Sequence, residues 1–265
     1  MHYRQGGKMH KTFISVIVPA FNEEKRLSET LPRLWRSVNR RFSSFEIIVV
    51  DDGSTDGTGK IVREFADSHP QVFLLRYENN QGKGYAVRTG VMAAIGEYIL
   101  FCDADLSTPF REIDKLMKAL EDGGDIAIGS RVGKESKILK RQPIYRVLMG
   151  KTFNKLVQLL AVPGIKDTQC GFKCFRGAVA RELFKSCRID GFSFDVELLF
   201  IGRQKGMKIE EVGVLWKNDL QSRVHPVFHS LQMLKDLFLI RWYWLSGCYG
   251  PVMAPYCDFS RRHQR

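Results

Sequence analysis

Two carboxylates separated by one small residue, Asp103-Ala104-Asp105, follow directly on the apolar run EYILFC. Just past a buried strand, such a pair can converge on one divalent cation at a sheet edge. Mg²⁺ and Mn²⁺ take oxygen ligands and are often held by one or two carboxylates together with substrate phosphates. A second acidic pair, Asp51-Asp52, ends the run FEIIVV and is followed by Gly53-Ser54. Carboxylates there can accept hydrogen bonds from a base N–H or from ribose hydroxyls, while Ser54 or Asp56 can cap the helix that follows. Neither GxGxxG nor GxxxxGK[ST] occurs, which argues against dinucleotide oxidoreductases and P-loop nucleotidases.

The elements that must position these acids alternate. Apolar, β-rich runs at 13–19, 45–50, 72–76, 97–102 and 125–129 are separated by helical patterns at 25–40, up to about 68, 84–95 and 110–122. Short continuous apolar strands alternating with helices predict a mostly parallel sheet covered on both faces, with functional groups at the carboxyl ends of its strands. The second half is less regular. A helical pattern over 142–161 stops at Pro163-Gly164, and a turn and strand are expected at 167–175. Helices at 177–186 and 194–205, a strand at 209–216 and a helix at 227–246 follow. That last helix carries Leu231, Leu234, Phe238, Trp242 and Leu245 as one apolar stripe and is read as amphipathic. The division is a flexible segment 1–12, one α/β domain over 13–225, and a C-terminal amphipathic helix with a basic tail over 226–265.

The chain has 265 residues, 44% hydrophobic and 26% charged, an ordinary globular composition long enough for a full core. Lys+Arg exceed Asp+Glu by 41 to 29, giving +12. Eight basic residues against one acid lie between Arg131 and Lys155. Such a balance points to an anionic partner: a phosphorylated ligand, an acidic membrane surface or nucleic acid. Nucleic acid is the poorest of these, since no reading helix or RNP element is present. The first dozen residues are polar and basic with no apolar core of a signal peptide, and no run long enough to span a bilayer occurs. Six cysteines without CxxC or zinc spacing read as free thiols.

Four blocks together carry a resemblance. Val18-Pro19-Ala20-Phe21-Asn22-Glu23-Glu24, Asp51-Asp52-Gly53-Ser54, Asn80-Gln81-Gly82-Lys83-Gly84 and Asp103-Ala104-Asp105-Leu106-Ser107 occur in the order seen in family 2 inverting glycosyltransferases. Asp167-Thr168-Gln169-Cys170-Gly171-Phe172-Lys173 and Phe194-Asp195-Val196-Glu197 resemble the dolichyl-phosphate β-glucosyltransferase branch, sister to the dolichyl-phosphate mannose synthases. The resemblance implies a GT-A (Rossmann-like) fold, a nucleotide-sugar donor and Mg²⁺ or Mn²⁺. It implies that Pro19, Phe21, Glu23 and Asp52 surround the nucleotide. Asp103 and Asp105 fall at the metal and diphosphate site, with Ala104 contributing backbone; Ser107 falls where relatives carry either a Gln metal ligand or a Ser. Arg131 matches an arginine that handles the acceptor phosphate or the donor, with Arg146 as a second acceptor residue. Arg223 matches a basic position near the diphosphate, which Lys217 can assist.

The implied reaction moves glucose from UDP-glucose to a polyprenyl (dolichyl-type) phosphate with inversion, by a peripheral enzyme at the cytoplasmic face of a membrane. Alternatives that keep the fold are a GDP-mannose donor or a non-lipid acceptor. A phosphate acceptor is already anionic near pH 7, because the second pKa of a phosphate monoester is about 6. Asp195, where many members carry a catalytic base, is therefore open to either role: base, or orienter of the sugar or of an arginine.

Overall fold

The computed structural model describes residues 13–133, 136–140, 154–217 and 226–250. Seven strands form the main sheet in the order β3-β2-β1-β4-β7-β5-β8. β1 (Ile14–Ala20), β2 (Phe45–Asp52), β3 (Val72–Tyr77) and β4 (Tyr98–Cys102) run parallel, as do β5 (Ile126–Ser130) and β8 (Ile209–Gly213). β7 (Phe172–Arg176) is antiparallel to both neighbours, β4 and β5. The expected strand at 209–216 divides. After Val214 the chain leaves the main sheet, and β9 (Leu215–Lys217) pairs in parallel with β6 (Lys137–Lys140) in a separate two-stranded ribbon.

Two apolar cores lie on opposite faces of the sheet. On one, α1 (Glu24–Asn39), α2 (Thr58–Asp67) and α4 (Ile113–Glu121) bury Leu27, Leu31, Val62 and Leu116 against Val16, Ile47 and Leu100. On the other, α3 (Lys83–Ala93), helical residues 154–160 (α5), α6 (Gly177–Ser186), α7 (Phe194–Gln204) and α8 (Pro226–Leu245) cover Ile17, Phe101 and Phe175. This matches the layered α/β reading. The helix expected over 110–122 begins as a 3-10 turn at Phe110–Glu112 before α4.

α8 departs from the expected stripe. Its buried face is Met233, Asp236, Leu237 and Ile240, whereas Phe238, Trp242 and Leu245 are exposed. The helix carries large apolar residues on both sides, so apolar spacing alone did not say which side meets the core. Five cysteines are free among the described residues, four of them buried.

Candidate active site

β1 neighbours both β2 and β4, so the chain leaves β1 in one direction along the sheet and returns on the other side. The loops beyond their carboxyl ends diverge, and ligands bind open α/β sheets in the crevice formed there. Asp51-Asp52 stands at the end of β2 and Asp103 just past the end of β4. Antiparallel β7 enters from the opposite direction, so its first residues arrive at that same edge. The Asp103 N–H donates to the Gly171 carbonyl at 3.1 Å. A Cβ on Gly171 would run into the Asp103 carboxylate, so any larger residue there would push that carboxylate from its place.

The turn 103–106 is tight. Leu106 adopts a left-handed φ of 49° and its N–H donates to the Asp103 carbonyl at 3.1 Å. Asp105 Oδ1 accepts the Ser107 N–H at 2.8 Å. The Ala104 carbonyl is taken by Thr30 Oγ1 of α1 at 2.8 Å, which fastens the turn to the first helix. Asp103, Asp105 and Ser107 line a small crevice closed on one side by Trp216 of β9. β9 is tied there by the Lys217 N–H, which donates to the Ser107 carbonyl at 2.9 Å.

Cations enter this acidic edge from two elements. Lys83, the first residue of α3, places Nζ 2.6 Å from Asp103 Oδ1. Lys173 of β7 is fully buried; its Nζ donates to Asp195 Oδ1 at 2.5 Å and to the Cys170 carbonyl at 2.7 Å, and lies over the Phe101 ring at 5.1 Å. Asp195 sits in the first turn of α7, where the helix dipole favours a carboxylate. Burial pushes its pKa up, and Lys173 and then Lys83 pull the other way. Asp105 is raised by burial and then by the neighbouring Asp103 charge. For Lys83, burial opposes the charge, but Asp103 and then Asp195 outweigh it and hold the ammonium above the usual lysine range.

Arg131 follows β5 and forms a fork with Asp167: Nε donates to Oδ2 and Nη2 to Oδ1, each at 2.8 Å. The Arg131 N–H also donates to Asp167 Oδ2 at 2.8 Å. Burial works against the Asp167 carboxylate, yet the arginine charge and hydrogen bonds win and lower its pKa. The guanidinium lies 5.5 Å from the Trp216 ring centroid, the indole that closes the crevice. Two of its five N–H donors go to Asp167, and the fork is held rigid for a further anion.

The other expected residues are spread around this core. Pro19 is the penultimate residue of β1 and Phe21 is exposed in the following loop. Glu23 pairs with Arg26, and its N–H donates to Thr58 Oγ1 at 2.8 Å, which ties that loop to the start of α2. Asp52 is engaged by the chain itself. Oδ1 accepts the Gln81 N–H at 2.7 Å; Oδ2 accepts Asn80 Nδ2 at 2.8 Å and the Gly82 N–H at 3.0 Å. Its pKa is raised by burial, against those N–H donors. The Asn80–Gly84 block is thus held from both sides, because Gly84 and Tyr85 N–H groups donate to the Asp190 carbonyl at 2.7 and 3.2 Å. The helix cap after β2 is Gly57, not Ser54 or Asp56, although Asp56 Oδ1 accepts the Thr58 N–H at 3.0 Å. Arg146 and Arg223 lie outside the described residues; Lys217 is exposed on β9.

Sequence reasoning gave no role to Lys83, Lys173, Asp167, Gly171 or Trp216. A lysine inside the apolar alternation FKCF signals a buried partner, but sequence does not say that the partner is 22 residues away. Glu197, in the same motif as Asp195, accepts the Arg188 and Ile189 N–H groups and the Tyr249 hydroxyl, each at 2.9 Å. Among the described residues no three His, Cys, Asp or Glu side chains converge as metal ligands. The donor set is two carboxylates whose mutual repulsion a divalent cation relieves. It suits Mg²⁺ or Mn²⁺ completed by water and substrate phosphates.

A model of glycosyl transferase family 2 matches residues 15–184. The dolichyl-phosphate beta-glucosyltransferase of Dictyostelium discoideum is 37% identical over 247 residues, covering 89% of this chain and 76% of that protein. The enzyme of the same name from Drosophila melanogaster is 39% identical over 250 residues, with the same coverage. Among solved structures, glucosyl-3-phosphoglycerate synthase from Mycobacterium tuberculosis in complex with Mn²⁺, UDP and glucosyl-3-phosphoglycerate superposes with a TM-score of 0.61 at 20% identity, covering 91% of this chain and 81% of that one. A mannosyltransferase from Pyrobaculum calidifontis in complex with GDP-Man and Mn²⁺ gives 0.54 at 18% identity, covering 92% and 74%. At such identities the structural likeness speaks for the fold alone.

Proposed function

The chain belongs to glycosyl transferase family 2, and on that premise we propose that it transfers glucose from UDP-glucose, with inversion, to a dolichyl-type polyprenyl phosphate at the cytoplasmic face of a membrane. Its fold is the GT-A fold. One observation carries the reading on the geometric side: a guanidinium fixed by Asp167 packs against Trp216, the same indole that lines the Asp103–Asp105 crevice, so a cation site and a rigid anion clamp share one wall. The relatives' names supply the sugar and the lipid.

In this reading an acceptor phosphate oxygen attacks the anomeric carbon. The bond from that carbon to the β-phosphate oxygen breaks, and UDP leaves with the electron pair. An α-linked donor gives a β-linked product. The nucleophile needs no proton removed, so the difficulty is electrostatic: an anion must approach an anionic donor. Arg131 holds the acceptor phosphate in line and offsets that repulsion. A divalent cation held by Asp103 and Asp105, when bound, stabilises the charge that grows on the departing diphosphate. Lys83 and Lys173 keep the acidic edge from repelling the donor.

The direct test is product analysis with UDP-glucose and GDP-mannose against a short polyprenyl phosphate. Lipid-linked glucose formed from UDP-glucose is expected. Transfer only from GDP-mannose, or only to non-lipid acceptors, would overturn the reading. Arg131→Lys probes the clamp. It keeps the charge that Asp167 requires but loses the fork, so the KM for the acceptor phosphate should rise about tenfold while that for UDP-glucose changes little. An equal rise for both substrates would move Arg131 to the donor side.

Among the described residues no helix is long and apolar enough to cross a membrane. The outward residues Phe238, Trp242 and Leu245 of α8 are assigned to the membrane surface, where aromatic side chains concentrate and the exposed Lys235 and Arg241 meet anionic headgroups. Replacing all three apolar residues with alanine should cut co-sedimentation with phosphatidylserine vesicles at least tenfold and leave the melting temperature unchanged, since none is buried. Undiminished vesicle binding would exclude this face.

A further inference from the structure

Asp103, one of the two candidate metal carboxylates, already has a cation. Lys83 Nζ lies 2.6 Å from its Oδ1. The lysine is delivered by a fixed backbone and not by a loose loop. Gly82 before it holds a left-handed φ of 104°, and a Cβ there would meet the Asp190 carbonyl at 2.5 Å. Gly84 and Tyr85 after it donate to that same carbonyl. Two neighbouring acids are differently engaged. Asp195 is held by Lys173, and Asp105 accepts the Ser107 N–H. Lys83 is therefore the cation that balances the Asp103 charge.

A divalent cation reaching Asp103 must compete with this ammonium. A diphosphate changes the balance, because its anionic oxygens offer the lysine a replacement partner within reach of its flexible four-carbon stem. We propose that Lys83 is a resident cation that disfavours metal binding to the empty site and moves to the donor diphosphate when the nucleotide arrives, so that metal and nucleotide bind as a pair. This rests on the nucleotide-sugar reading above. Such coupling is reciprocal: whatever factor UDP gives to metal affinity, metal gives to UDP. Direct contact between metal and diphosphate also couples the two, so the informative quantity is metal affinity without nucleotide. There a purely structural role for Lys83, steadying Asp103, has the opposite sign.

The experiment is Mn²⁺ titration of the full chain, followed by the electron paramagnetic resonance signal of free Mn²⁺, with and without UDP. Lys83→Gln should bind Mn²⁺ alone roughly fivefold to tenfold tighter than wild type, and the further gain brought by UDP should shrink. Lys83→Met, which keeps the aliphatic stem, should behave alike; neither change touches the backbone bonds to Asp190. Lys83→Arg should retain the weak metal affinity. Unchanged or weaker Mn²⁺ binding by the Gln and Met variants overturns the inference, as does equal tightening in the Arg variant. A wild type that binds neither Mn²⁺ nor UDP overturns the functional reading and this inference with it.

Discussion

Asp105→Ala is expected to lower transfer by about a thousandfold or more and to abolish metal-dependent UDP binding. The turn that carries Asp105 is fastened at three points: the Leu106 N–H on the Asp103 carbonyl, the Ser107 N–H on Asp105 Oδ1, and Thr30 on the Ala104 carbonyl. Removing the carboxylate leaves Asp103 as the only acidic ligand on this turn, and Asp103 is already paired with Lys83. One such carboxylate holds a hydrated cation poorly against a diphosphate. Loss of the cation's charge stabilisation is worth several kcal/mol in the transition state, and each 1.36 kcal/mol is about tenfold in rate. Stability should change little or rise, because burial and the neighbouring Asp103 both disfavour the Asp105 charge. Full activity of the variant in the presence of EDTA would remove the metal from the mechanism.

The acids at strand ends were legible because a continuous apolar run that stops at a carboxylate leaves little choice about where that carboxylate sits. Asp51, Asp52 and Asp103 all stand at the carboxyl edge of the parallel strands. Their use was less legible. Asp52 reads as a nucleotide contact by resemblance, yet its two oxygens already accept three hydrogen bonds from residues 80–82. What was hidden came from the one strand that runs the other way. Periodicity gives a strand near 172 but not its direction, and only an antiparallel β7 brings Gly171 against Asp103 and buries Lys173 beneath α7. Asp167 and Arg131 are separated by 36 residues, and no local pattern joins them. The split at Val214, which sends Trp216 over the crevice, was likewise invisible to a reading that saw one strand at 209–216. For α8, both faces are apolar, and only the packed core decides that Leu237 and Ile240 turn inward while Phe238 and Trp242 turn out.

Asp195→Asn tests how the acceptor is activated, and Lys173 determines how the result must be measured. The Lys173 ammonium has 0% exposure and Asp195 is its acidic partner at 2.5 Å. Neutralising Asp195 strands that buried charge, so the single variant should lose about 3–5 kcal/mol of stability. Pairing it with Lys173→Met removes both charges together and should restore most of that loss, which a double-mutant cycle in urea will show. The rate comparison belongs in the stable double variant and its Lys173→Met parent. Removing a general base costs roughly 10²–10⁴-fold. Losing only a group that orients the sugar or the local charges should cost about tenfold to a hundredfold, on the order of 1–3 kcal/mol. The smaller loss is expected, since a phosphate nucleophile carries no proton that must be removed. The pH profile separates the cases further, though not by position alone. Burial pushes the Asp195 carboxyl up despite Lys173, so a limb due to a base would lie above that of a free aspartate, and position alone does not separate it from a limb set by the second phosphate pKa of about 6. The decisive sign is persistence. With a phosphate nucleophile the acid limb stays near 6 whether residue 195 is Asp or Asn; with Asp195 as base, the Asn variant loses it. A variant with no measurable transfer at any pH, while still binding UDP-glucose and acceptor, would make Asp195 the base or point to a hydroxyl acceptor.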